Sequence, residues 1–127
     1  MIPTILVAFG GALGSVARFK LAGWFLQSHP DWRFPVGTFV VNVVGCLAIG
    51  VLAGLTERTH LLTSDARAFL FTGLMGGFTT FSAFGLETFN LIRRGETLVA
   101  AGYVGLSVIV GLLALWFGFV TAVPAPR

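Results

Sequence analysis

Charge is scarce in this 127-residue chain. Eight Lys and Arg and five Asp and Glu make up 10% of it, against 56% hydrophobic residues and a mean hydropathy of +0.92. That balance excludes a water-soluble globular domain and places the chain among membrane proteins. Cysteine is nearly absent: Cys46 alone, inside an apolar stretch, excludes a disulfide framework and a thiolate metal site within one chain. The two histidines, His29 and His60, fall in connecting segments where solvation is the simplest reading, and enzyme chemistry finds no support. The acidic residues Asp31, Glu57, Asp65, Glu87 and Glu96 read as helix ends or loops, which leaves no carboxylate pair at membrane depth for proton transfer. A net charge of +3 raises the question of nucleic acid, but the basic residues are dispersed singly or in pairs at the ends of apolar stretches, as interfacial anchors are.

What is abundant is uninterrupted apolar sequence. Charges divide the chain into stretches of roughly 2–17, 34–56, 68–86 and 97–126, and a spanning helix needs about 20 apolar residues. The first stretch is short, but Arg18 and Lys20 can snorkel from a helix that runs on through Leu26. The reading is an all-α membrane protein, a single domain over 1–127 with four transmembrane helices. Removal of the first stretch as a signal peptide is the alternative, against which stand its glycine pattern and the lack of a preceding basic residue. His29 to Pro35, Glu57 to Arg67, and Arg93 to Glu96 read as the connections, with Thr63-Ser64-Asp65 capping the third helix.

Four crossings put both termini on one side. Arg18, Lys20, Arg33, Arg93 and Arg94 then face Arg58, Arg67 and Arg127, a weak bias that is compatible with insertion both ways and with a single orientation. Gly10 and Gly14, Gly50 and Gly54, and Gly73 and Gly77 each stand four apart, a spacing that lets helix backbones approach closely. Four helices so packed leave little room inside, so a pathway is expected in grooves completed by a second subunit.

One segment does not suit its setting. Gly76-Gly77-Phe78-Thr79-Thr80-Phe81-Ser82-Ala83-Phe84 lies within the third stretch, yet paired glycines, β-branched threonines and three hydroxyls are poor material for an uninterrupted helix. The third helix is therefore predicted to break near its middle. Broken backbone at that depth is tolerated only against protein or a water-filled cavity, and such sites tend to bind or pass ions. Carbonyls freed around Gly76, Gly77, Phe78 and Thr79 suit a hard cation, while the half-helix N-terminus that follows favours an anion. Phe81 and Phe84 share a face after the break, and positive ring edges favour a small anion; packing is the other reading. Thr38 and Asn42 share a face of the second helix, Tyr103 and Ser107 one of the fourth. Asn42, costly in hydrocarbon unless partnered, is either a ligand donor or interhelical glue.

Gly10-Gly11-Ala12-Leu13-Gly14 with Arg18, Gly37-Thr38-Phe39-Val40-Val41-Asn42-Val43-Val44-Gly45, and Gly73 to Phe84 together resemble the Fluc (CrcB-type) family of fluoride channels across nearly the full chain. The last stretch is highly specific; the first alone is weak. The resemblance implies passive efflux of cytoplasmic fluoride through an inner-membrane, antiparallel dual-topology homodimer with two pores. By it, Phe81 and Phe84 form an aromatic box, Asn42 donates its amide to fluoride, and Thr38, Thr80, Ser82, Tyr103 and Ser107 line the pathway. The carbonyls of Gly76 and Thr79 from both subunits would hold a structural sodium ion, and Arg18 would draw anions into a vestibule. Cys46 and Ala83 depart from the frequent serine and threonine, which implies altered packing with selectivity kept. A proton-coupled exporter and a non-transporting assembly subunit are the other readings, separated by proton-gradient dependence and by fluoride flux.

Overall fold

The computed structural model describes residues 1–57, 59–60 and 62–124, so Arg58 and Arg127 of the charge count and the last three residues of the tail lie outside it. All regular structure among the described residues is helical. Helix α1 runs Ile2–Ser28 and α2 Val36–Thr56; α3, Ser64–Arg67, leads into a π-helical segment Ala68–Met75, followed by α4, Gly76–Phe78, α5, Phe81–Arg93, and α6, Thr97–Ala122. Four stretches are long and apolar enough to cross a membrane: Ile2–Ser28, Val36–Thr56, Ser64–Arg93 and Thr97–Ala122.

Helix ends follow local chemistry. The Thr63 side chain accepts from the Ala66 N–H at 3.1 Å, the expected cap of the third crossing. At the end of α5, Gly95 takes φ +81°, and the N–H groups of Gly95 and Glu96 return to the carbonyls of Ile92 and Leu91, a Schellman closure that glycine accommodates without strain. His29 is not simply solvated: its ring sits against Phe25 and Trp32, with centroids at 6.3 and 4.1 Å, in the first connection.

Glycine decides which helices touch. A Cβ on Gly10 would come within 2.6 Å of the Phe69 oxygen, and one on Gly77 within 2.5 Å of the Gly11 oxygen, so α1 lies backbone to backbone on the π-helical segment and α4. Gly54 meets the Phe119 oxygen at 2.5 Å and Gly118 the Leu47 oxygen at 2.6 Å by the same construction, which locks α2 to α6. All three glycine pairs thus sit at helix contacts. Helix α5 closes on α6 around Leu91, Ala100 and Tyr103. Few side chains are buried, whereas Phe9, Leu98, Leu112 and Trp116 are among many large apolar residues facing outward, as in a chain surrounded by lipid or by another copy.

The glycine pair Gly76-Gly77 is not where the backbone leaves the helix. Gly76–Phe78 is helical, and the extended residues are Thr79 (φ −84°, ψ 154°) and Thr80 (φ −148°, ψ 115°). Three hydrogen bonds account for the shift: the Thr79 hydroxyl donates back to the Met75 oxygen at 2.9 Å, and Asn42 engages both the N–H and the C=O of Thr80. Gly77 is instead a contact glycine.

Candidate functional site

The site is assembled around those two extended residues. Asn42, on the face of α2 turned to the third crossing, donates from Nδ2 to the Thr80 oxygen at 3.1 Å and accepts at Oδ1 from the Thr80 N–H at 2.9 Å. Its amide therefore pairs with both backbone groups of one residue, the N–H and the C=O of Thr80, with one N–H left over. The Thr80 hydroxyl in turn accepts from the Ala83 N–H at 3.2 Å, capping α5, and lies 3.5 Å from the Ser82 hydroxyl. These bonds divert two donors from helical partners. In an α-helix the Thr80 N–H would serve the Gly76 oxygen and the Ala83 N–H the Thr79 oxygen; both N–H groups bond to side chains instead. The neighbouring Gly77 oxygen accepts from Arg18 Nε at 3.1 Å.

A cavity of about 350 Å³ opens beside this clamp, lined among others by Asn42, Thr79, Thr80, Phe81, Phe84 and Ser107. The Phe81 and Phe84 rings stand 5.8 Å apart at 37°. Their settings differ: Phe84 also packs on Tyr103 at 5.1 Å, while Phe81 is 84% exposed and projects from the chain. The Ser107 hydroxyl is buried without a hydrogen-bond partner. Cys46 lines the same cavity, and Ala83 lines the neighbouring one.

One helical turn away lies a second polar level. Thr38 and Tyr103 donate their hydroxyls to the two oxygens of one carboxylate, Thr38 Oγ1 to Glu87 Oε1 at 2.7 Å and Tyr103 to Glu87 Oε2 at 2.8 Å. Tyr103 is fully buried and Thr38 8% exposed. Thr38 and Glu87 border a larger cavity of about 470 Å³ that also touches Arg18, Arg33, Asn90 and Arg94. The spacing of four between Thr38 and Asn42 and between Tyr103 and Ser107 thus becomes two levels of donors facing α5 from α2 and α6.

Sequence reasoning missed Glu87. It took the charge as the end of the third crossing, but α5 continues to Arg93 and the carboxylate lies inside the helix. The signal was present: Glu87 follows Phe84 and Phe81 at steps of three, the spacing of one helix face, and hydroxyls four residues from other polar groups were already marked on α2 and α6. A carboxylate holding two hydroxyl donors between packed helices costs less than an unpartnered one.

Residues 5–119 match the family described as "CrcB-like protein, Camphor Resistance (CrcB)". The chain is 56% identical over 119 residues to a protein of Methylobacillus flagellatus named "Fluoride-specific ion channel FluC", covering 94% of this chain and 93% of that one. Proteins of the same name from Opitutus terrae and Nitratidesulfovibrio vulgaris are 48% and 46% identical, with 94% and 92% of this chain and 91% and 94% of theirs covered.

Proposed function

The chain belongs to the CrcB-like family, and we propose that it is a fluoride-selective channel giving passive efflux of cytoplasmic fluoride across the inner membrane. It is a multi-pass membrane protein of a channel family, not an enzyme. The observation that carries the reading is the buried, unpartnered Ser107 hydroxyl in a cavity rimmed by two phenyl rings. Fluoride is small and strongly hydrated, so a selective pore has to replace its water with closely set donors and polarised edges. Ser107, the spare N–H of Asn42, and the edges of Phe81 and Phe84 supply those at one level. Thr80 lines the same cavity and Thr38 the larger one, the vestibule that Arg18 borders; Ser82 lies beside the Thr80 hydroxyl, and Tyr103 acts on the pathway through Glu87, to which its hydroxyl donates.

A second, inverted copy completes the site, giving an antiparallel homodimer with two pores. Support comes from Phe81, which a lone chain leaves 84% exposed. The same extended pair, read as the break in the third crossing, frees the Gly76 and Thr79 carbonyls, which fit a hard cation. Two oxygens are too few for a shell, and the two copies together double them, which favours sodium on the dimer axis. Bound there, sodium would neutralise the carbonyls' partial negative charge and tie the copies together.

Purified protein in liposomes loaded with fluoride tests the function. Efflux driven by the fluoride gradient alone, with chloride retained, is the expected result. No efflux would reject the reading, and flux that requires a proton gradient would favour the exporter.

A further inference from the structure

The carbonyl oxygens at the extended pair are not treated alike. Those of Gly76 and Thr79 lose their helical donors to the side chains of Asn42 on α2 and of Thr80 at the N-cap of α5, whereas that of Gly77 acquires a donor from α1, the Arg18 Nε–H at 3.1 Å. The helical partner of the Gly77 oxygen would be the N–H of Phe81, and the extended residues carry Phe81 into a new helix. Buried carbonyls left without a partner are strongly disfavoured, more so where no water reaches them. Helix α1 stands directly over this one: Gly11 touches Gly77, and Gly11, Gly14 and Arg18 follow at steps of three and four along one face of α1.

We propose that Arg18 is a positioning residue: its Nε–H caps the Gly77 carbonyl and so holds the extended pair in the conformation that the pathway needs, and its positive charge is secondary to that bond. Resting on the channel reading, this goes beyond the anion-attracting role that resemblance gives Arg18. The two roles separate by chemistry. Glutamine carries its amide nitrogen at the same side-chain position as arginine carries Nε, so Arg18→Gln keeps a donor in place and removes the charge. Arg18→Met matches the length and offers no donor.

The test is fluoride efflux from liposomes holding wild-type protein, Arg18→Gln or Arg18→Met. Arg18→Gln is expected within about threefold of wild type and Arg18→Met slower by about tenfold or more, the range that a charge-assisted hydrogen bond spans. Equal loss in both variants would assign Arg18 to anion attraction and overturn the proposal, as would wild-type rates in both. A second measurement does not depend on transport. In protein labelled with carbonyl-¹³C glycine and ¹⁵N phenylalanine, only Gly77 and Gly118 precede a phenylalanine. The Gly77 carbonyl resonance is expected to stay near its wild-type position in Arg18→Gln and to move upfield in Arg18→Met, while that of Gly118 stays put. An unmoved Gly77 signal in Arg18→Met sinks the proposal. Should wild-type protein pass no fluoride, the channel reading fails and the resonance still decides the role of Arg18.

Discussion

Removing the hydroxyl of Tyr103 isolates one bond of the Glu87 level. In Tyr103→Phe the ring keeps its contacts with Phe84 and Phe34, at 5.1 and 5.3 Å, while the 2.8 Å bond to Glu87 Oε2 is lost. Hydrogen bonds to charged acceptors contribute about 1.5–3 kcal/mol in water-soluble proteins, and interhelical ones in bilayers about 0.6 kcal/mol on average and about 1.7 at most. Tyr103 is fully buried and its acceptor is a carboxylate, so water cannot readily replace the phenol and the upper bilayer value applies. The expected cost is about 1.5 kcal/mol, roughly tenfold in the unfolding constant. Reversible unfolding in mixed micelles would measure it. The pairing itself is tested by a cycle with Glu87→Gln, whose side chain keeps a single acceptor oxygen. In that background Tyr103→Phe should cost only about 0.5 kcal/mol, a coupling of about 1 kcal/mol. Costs that add to within about 0.3 kcal/mol would mean that the phenol and the carboxylate do not depend on each other, and the two-level description of the site would fail.

Other perturbations reach other parts of the site. Phe81→Ile or Phe84→Ile should sharply lower fluoride efflux from liposomes while dimers persist on size exclusion; undiminished efflux in both rejects the aromatic box. Protein made and purified without sodium should be slower or less dimeric, and equal activity and equal dimer content would remove the cation from the account. Gly50→Ala puts a methyl against the Leu115 backbone, about which α2 and α6 cannot close, and an overpacking cost of about 1–3 kcal/mol should appear in the same unfolding assay. A value near zero would show that the two helices slide apart without loss.

Some of this arrangement is local, and local features are written along the chain. Membrane crossings follow from the length of apolar runs, the Thr63 cap from its own next residues, and the close helix pairs from glycines one turn apart. Each needs information only from residues a few positions away. The nine residues from Gly76 to Phe84 announced irregular backbone in the same way, but they did not say which residues would leave the helix. Glycine frees the chain without directing it. Thr79 and Thr80 are extended because Asn42, 38 residues before Thr80, offers a donor and an acceptor matched to the C=O and N–H of that residue.

Sequence alone determined the class of the protein, its crossings and the face on which its hydroxyls lie, because hydrophobic period and length act within single helices. Tertiary structure alone decided the partners. Thr38 and Glu87 are 49 residues apart, Arg18 and Gly77 59 apart, and no spacing rule links them. A carboxylate that pattern treats as the end of a crossing becomes an interior group once two hydroxyls converge on it. An arginine that pattern treats as an anchor becomes a cap once a neighbouring helix offers it an unpaired oxygen. In both cases the cost of burying a polar group is set by what other helices bring to it, which is a property of packing and not of order along the chain.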